Sequence, residues 1–156
     1  MITVRKAKDS DATALYDLLG QVLLVHHNIR PDLFRASGAK HDIDEIKLMI
    51  ANSANPIFVA VNDNDYPVGH CMCMVQSEKH PNGVPHKTLH IDDLCIDEAH
   101  RSQGIGKLLC DYAMDYAKEI GCYNVTLNVW EGNDNAKAFY DNLGFEPYRT
   151  SLERIL

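Results

Sequence analysis

The chain has 156 residues, 46% hydrophobic and 24% charged, and its 15 Lys plus Arg against 22 Asp plus Glu leave a net charge of −7. That length favours one domain over residues 1–156, large enough to bury a core without a disulfide or metal staple. The composition excludes a disordered chain, and the acidic balance excludes a general nucleic-acid or anionic-membrane binder, which needs excess positive charge, while leaving room for one local anion site.

Ile2 and Val4 alternate with polar neighbours and predict a short strand. Asp9 or Ser10 then caps a helix through Ile29, with Leu15, Leu18, Leu19, Val22 and Val25 at helical spacing, and Arg30-Pro31-Asp32 ends it. Residues 31–40 have no period and read as a loop. A second helix over Asp42–Asn52 turns Ile43, Ile46, Met49 and Ile50 inward. Ile57–Val61 reads as a strand, Asn62–Asp65 as a turn and Val68–Val75 as the hairpin partner. After a loop at His80–Pro85 come a strand over Thr88–Ile96, a helix from Gly104 to Glu119 ending at Gly121, and a strand over Asn124–Trp130. A helix over Asn133–Asn142, closed by Gly144, precedes Phe145–Leu156, which reads as strand material. Hairpins first and βαβ crossovers later predict an α/β fold of mixed α+β type: a single mixed, mostly antiparallel central sheet flanked by helices.

Cys71, Cys73, Cys95, Cys110 and Cys122 are odd in number, form no C-x-x-C and sit in apolar stretches, so they read as free thiols of a reduced, cytoplasmic protein. The N-terminal residues lack the apolar stretch of a signal peptide, and no run approaches the roughly 18 apolar residues of a membrane helix. His86 and His90 stand four apart, but four residues of strand span roughly 13 Å, too far to share one ion, and no metal is expected.

The most informative stretch runs from His90 to Lys107, where a strand leads into a glycine-bearing turn that opens a helix. Gly104 and Gly106 let backbone N–H groups approach a ligand, the helix N-terminus adds orphan donors and partial positive charge, and Arg101 and Lys107 bracket it with full charges. A G-x-G-x-x-G dinucleotide fingerprint needs glycine where Leu109 stands, and a phosphate-binding G-x-x-x-x-G-K-[ST] loop needs Gly at 101 and Ser or Thr at 108, where Arg101 and Leu108 stand. Both nucleotide readings fail. A tight left-handed turn with no ligand is the plain alternative.

Arg101-x-x-Gly104-x-Gly106, after a strand with acidic residues, resembles the acetyl-CoA pyrophosphate loop of the GNAT superfamily of N-acetyltransferases. Ile2-x-Val4-Arg5-x-Ala7, Asp11, Leu15 and Leu18 are similar to that family's first strand and helix, and Asn133-x-x-Ala136-x-x-x-Tyr140-x-x-x-Gly144-Phe145 to its late helix, so the likeness covers most of the chain. It implies acetyl-CoA as cosubstrate, the loop Arg101-Ser102-Gln103-Gly104-Ile105-Gly106-Lys107 around its diphosphate, and Asn133 and Asn135 on its arm. The strand at Leu94-Cys95-Ile96 would splay from its neighbour and bond the pantetheine as an added strand does. A backbone N–H at or near Cys95 would polarise the thioester carbonyl, a device worth roughly 3–4 kcal/mol of barrier. Leu94 and Ile96 are core residues in either case, since these contacts are main-chain.

Asp92 and Asp93 sit mid-strand, where Asp is depleted. Strict alternation puts Asp92 with His90, Leu94 and Ile96, and Asp93 with Ile91 and Cys95. A lysine-like ammonium of pKa about 10.4 must lose its proton before attack, costing about 4–5 kcal/mol at pH 7, and a neighbouring carboxylate offsets part of that. Acidic residues here resemble the family's base; Asp92 is favoured, Asp93 close behind, and a solvated strand end or loop cap is the alternative for each. By resemblance Tyr140 approaches the thioester sulfur as general acid. Because a phenol near 10 is a weaker acid than a thiol near 8.5, transfer is uphill by about 2 kcal/mol, and hydrogen-bonding the growing thiolate is the safer role; plain aromatic packing is the alternative. His26, His27 and Arg30 fall where the family covers its acceptor site, though surface or structural histidines fit as well. The reading is an acetyl-CoA-dependent N-acetyltransferase acting on an amine, small molecule or peptide, by direct attack. Cys95 lacks an evident histidine partner for a covalent route. A non-catalytic acyl-CoA sensor and an interaction domain with an idle turn are the competing readings, and a homodimer is an expectation of the family alone.

Overall fold

All five residues of Ile57–Val61 are apolar and buried, the mark of a strand covered on both faces, and the sheet is built around it. In the computed structural model, which describes residues 1–156, the strands lie in the order β1 (Thr3–Lys6), β2 (Ile57–Val61), β3 (Pro67–Glu78), β4 (His86–Ile96) and β5 (Asn124–Leu127). The first three pairings are antiparallel and β4–β5 is parallel, the mixed sheet that the order of elements predicts. Helices α1 (Ala12–Ile29), α2 (Ile43–Ala51), α3 (Ile105–Glu119) and α4 (Asp134–Asn142) flank it. None of them is long and apolar enough to cross a membrane.

Each face of the sheet has its own core. Ile105, Leu109, Ala113 and Ala117 of α3 pack on Phe58, Ala60, Cys71, Cys73, Leu89 and Ile91. Ala12 and Leu15 of α1 and Ile46 of α2 pack on Ile57, Val59, Val61 and Met72. Leu109 is fully buried at the centre of the α3 face. Leu109→Ala is therefore expected to lower the unfolding free energy by about 2–5 kcal/mol, lost transfer energy plus a cavity, read as a lower denaturation midpoint at unchanged slope.

Three expectations about element bounds and caps change. Neither Asp9 nor Ser10 caps α1: Asp9–Asp11 form a 3-10 turn, and α1 begins after Asp11. The Asp11 carboxylate, only 2% exposed, takes two bonds from the Arg5 guanidinium (2.7 and 3.1 Å) and one from the Lys8 amide (2.8 Å), so it ties β1 to α1 instead of capping a helix. Next, β5 stops at Leu127, short of Trp130. Finally, Phe145–Leu156 forms no strand. Pro147 removes a ladder donor, the segment pairs with no strand of the sheet, and Leu152, Ile155 and Leu156 stay exposed, with Arg30 reaching Glu153 from the end of α1.

The β3–β4 ladder holds the feature that shapes the site. Cys73 pairs with Ile91 and Met72 with Asp93, so Asp92 is one extra residue, a β-bulge. Ile91 and Leu94, three apart, consequently both pack on the α3 side. Strict alternation is overturned: Asp92 leaves the Leu94–Ile96 face, and Asp93 leaves that of Ile91. Asp92 borders a cavity with Ile57 and Met72, and Asp93 bonds His70, the cross-strand neighbour of Val59. The bulge turns both carboxylates toward α1 and α2.

Candidate active site

Strand β5 has only four residues, and its pairing with β4 ends at Ile91 and Leu127. Residues 92–96 of β4 therefore lack a strand partner on that edge, the splay expected at Leu94-Cys95-Ile96. From there the chain passes through a 3-10 turn, Glu98–His100, that α1 clamps. Gln21 Nε2 donates to Asp97 Oδ1 (2.9 Å), the Glu98 amide donates to Gln21 Oε1 (3.0 Å), and His100 Nδ1 lies 2.7 Å from Asp97 Oδ2. The bonds from Gln21 and then His100 hold the Asp97 carboxyl below its ordinary range.

Beyond this clamp Arg101, Ser102, Gln103 and Gly104 are exposed, with φ of 62° at Ser102 and 76° at Gly104. Gly104 caps α3 in the left-handed conformation, and a Cβ added there would meet nothing within 4 Å, so conformation rather than crowding selects glycine. Gly106 differs: a Cβ would come within 3.0 Å of the Phe139 ring, so its bare backbone seats α4 against the first turn of α3. The Leu108 amide bonds Gly104 O (3.2 Å), and the amides of Ile105, Gly106 and Lys107 before it have no intrahelical acceptor. They form a donor cluster at the positive end of a 15-residue helix. Arg101 Nε donates to Ile96 O (3.2 Å), which keeps that charge at the end of β4, while Lys107 pairs with Asp111 (2.5 Å) on the helix flank.

On α4, Asn133 accepts the Ala136 amide (3.3 Å) as N-cap, which uses its oxygen and leaves its NH₂ group. Asn133 and Asn135 line an open groove of about 380 Å³ facing Val25, Asn28 and Ile29 of α1. Tyr140 packs edge-on to Phe139 (4.9 Å) and Phe145 (5.6 Å). Burial, with Cys110, Cys71 and Asp93 adding, pushes its phenol well above the ordinary value. It stays protonated at neutral pH: a hydrogen-bond donor, and a poorer proton donor than free tyrosine. The structure thus brings together β4 residues 92–96, the turn at 101–107 and α4.

His26, His27 and Arg30 belong to a different cluster. His27 Nδ1 lies 2.7 Å from Phe34 O, His26 packs on Phe34 (5.1 Å), and Phe34 meets Trp130 edge-on (5.5 Å). Arg30 pairs with Asp32 (2.7 Å) and Glu153 and lies 5.9 Å above Trp130. These side chains anchor the segment after α1, and two carboxylates already occupy the Arg30 charge.

Asp92 instead borders a cavity of about 130 Å³ beneath α2, with Met49, Met72 and Met74 for apolar wall and Asn52 and Asn55 for polar rim. His70 carries only a faint sequence signal, an imidazole inside the apolar run of β3. It is fully buried and bonds Asp93 through Nε2, and its Nδ1 has no partner. Cys95 lies opposite His70 across the strands, but its thiol donates to Leu18 O (3.4 Å). Burial first, then the Asp93 charge, pushes that thiol up to about 12.

The sequence matches the model of the acetyltransferase (GNAT) family over residues 24–145. Over 146 residues it is 29% identical to the peptidyl-lysine N-acetyltransferase YjaB of Salmonella typhimurium, covering 94% of this chain and 84% of that one. A mutant of the Bacillus halodurans protein BH1408 superposes with a TM-score of 0.92 at 26% identity over 99% of both chains. The aminoglycoside N-acetyltransferase AAC(6')-Iy in complex with CoA superposes with a TM-score of 0.72 at 14% identity, over 99% of this chain and 95% of that one, a likeness of fold.

Proposed function

The chain belongs to the acetyltransferase (GNAT) family, and we propose that it moves an acetyl group from acetyl-CoA to a primary amine by direct attack in a ternary complex. The observation that carries this reading is the end of β4–β5 pairing at Ile91 and Leu127 just before an exposed helix-capping turn. The open edge supplies main-chain partners for a pantetheine arm, and the amides of residues 102–107 suit its diphosphate. Arg101 stands between the two, and the Asn133 and Asn135 side chains are the polar groups offered from α4.

In the proposed reaction the amine enters from the α1–α2 side, where the carboxylates of Asp92 and Asp93 attract the ammonium and one of them takes its proton. Nitrogen attacks the thioester carbon, a main-chain N–H at Leu94–Ile96 stabilises the oxyanion, and the C–S bond breaks to give amide and CoA. Tyr140 donates a hydrogen bond to sulfur as its charge grows; its raised phenol speaks against full proton transfer. A thiol at about 12, tied to Leu18 O, is a poor nucleophile and speaks against an acyl-Cys95 intermediate.

Methionine walls, an asparagine rim and one carboxylate suit an aliphatic ammonium, and the peptidyl-lysine activity named for the Salmonella relative supports a lysine-like acceptor. The test is CoA release from acetyl-CoA over a panel of lysyl peptides, polyamines, amino sugars and aminoglycosides. Amine-dependent release, strongest with an aliphatic amine, is expected. Acetyl-CoA binding without release by any amine would point to the sensor reading. Asp92 is exposed, so Asp92→Asn should raise the amine KM only about fivefold, the effect of about 1 kcal/mol for a close pair in water.

A further inference from the structure

Strand β3 commits an imidazole to a place where an apolar side chain would fit. His70 is fully buried and flanked across the sheet by Val59 on β2 and Cys95 on β4. Its only hydrogen bond runs from Nε2 to Asp93 Oδ2, and its other nitrogen is buried without a partner. A core histidine kept for its own satisfaction would have both nitrogens paired. Here one is unpaired while the other holds a carboxylate on the open half of β4.

That carboxylate differs from its neighbour. The Asp93 side chain is 14% exposed and Asp92 is open to solvent. Asp93 Oδ1 accepts no bond within the protein, and the charge of Asp93 is felt by Tyr140 across the gap. We infer that Asp93 is the base that takes the amine proton and that His70 is its positioning residue, gripping Oδ2 so that Oδ1 faces the incoming nitrogen. This rests on the reading of the β4–β5 gap as the reaction site, and it gives the two aspartates separate tasks: Asp92 attracts the ammonium at the mouth of the α2 cavity, and Asp93 removes its proton. The step balances: the ammonium gives its first proton through Asp93 to solvent, the free amine attacks the acetyl carbon, and the second N–H proton passes to Asp93 as the C–S bond breaks and CoA leaves as thiolate. Asp93 then returns that proton to solvent, from which the thiolate takes up one.

Three variants test this with the whole chain. Asp93→Asn should lower kcat at least 100-fold. His70→Leu, which fills the site without a donor, should lower kcat at least 10-fold while calorimetric Kd for acetyl-CoA stays within twofold. His70→Gln, whose amide can reach the same oxygen, should recover most of that loss. If His70→Leu does not fold, His70→Asn replaces it: the shorter amide falls short of Asp93, and kcat should drop where His70→Gln keeps it. Wild-type kcat in Asp93→Asn, in His70→Leu or in His70→Asn overturns the inference and leaves the acetyltransferase reading standing. So does an equal loss in His70→Gln and His70→Leu, the mark of a packing role. A wild-type chain that acetylates no amine removes the underlying reading itself.

Discussion

Tyr140→Phe is expected to lower kcat about 100-fold while leaving acetyl-CoA affinity and fold stability nearly unchanged. The ring packs against Phe139 and Phe145, contacts that phenylalanine keeps. What disappears is one O–H in a largely buried place, where a donor facing developing charge is worth about 10²–10³ in rate. Because burial raises the phenol, the role is hydrogen bonding to the departing thiolate, and the loss should be flat in pH across the neutral range. Steady-state kinetics of CoA release with a saturating amine measures it. A kcat within twofold of wild type would reduce Tyr140 to packing.

Gly104→Val is expected to weaken acetyl-CoA binding at least about 100-fold, or about 2.7 kcal/mol. At φ of 76° a β-branched residue is strained, so the backbone would relax out of the left-handed cap and turn the donor amides away from a common point. Asparagine tolerates that region, and the open space around Gly104 accepts its side chain. Gly104→Asn should therefore keep the turn and bind better than Gly104→Val. Titration calorimetry with circular dichroism as the folding control separates the two. Equal, near-native affinity in both variants would mean that the turn holds no diphosphate.

Much of this architecture was legible from periodicity and punctuation. The apolar run Ile57–Val61, the helical spacing of Ile43, Ile46, Met49 and Ile50, and the glycines at 104, 121 and 144 marked elements that the structure keeps within a few residues. Period alone misjudged the places where tertiary pairing decides. Alternation cannot announce a bulge, so the sequence reading split Asp92 and Asp93 between two faces, although one inserted residue turns both toward α1 and α2. Asp11 looked like part of a helix start and proved to be an anchor for Arg5, a contact six residues away that capping rules do not consider. The tail after Gly144 carried strand-like residues, yet a strand needs ladder partners, and the tail pairs with none. His70 escaped notice because its meaning lies in a partner 23 residues on. The glycine turn was legible as an anion site, while the separate duty of Gly106, making room for Phe139, required the fold.

The most direct trial is the crystal structure of the chain with acetyl-CoA bound. The diphosphate is expected within hydrogen-bonding distance of the amides of residues 102–107, the pantetheine along the open edge of β4 at 92–96, and the thioester sulfur beside the Tyr140 hydroxyl. Acetyl-CoA lodged in the groove between α1 and the start of α4, with the turn before α3 untouched, would contradict that placement.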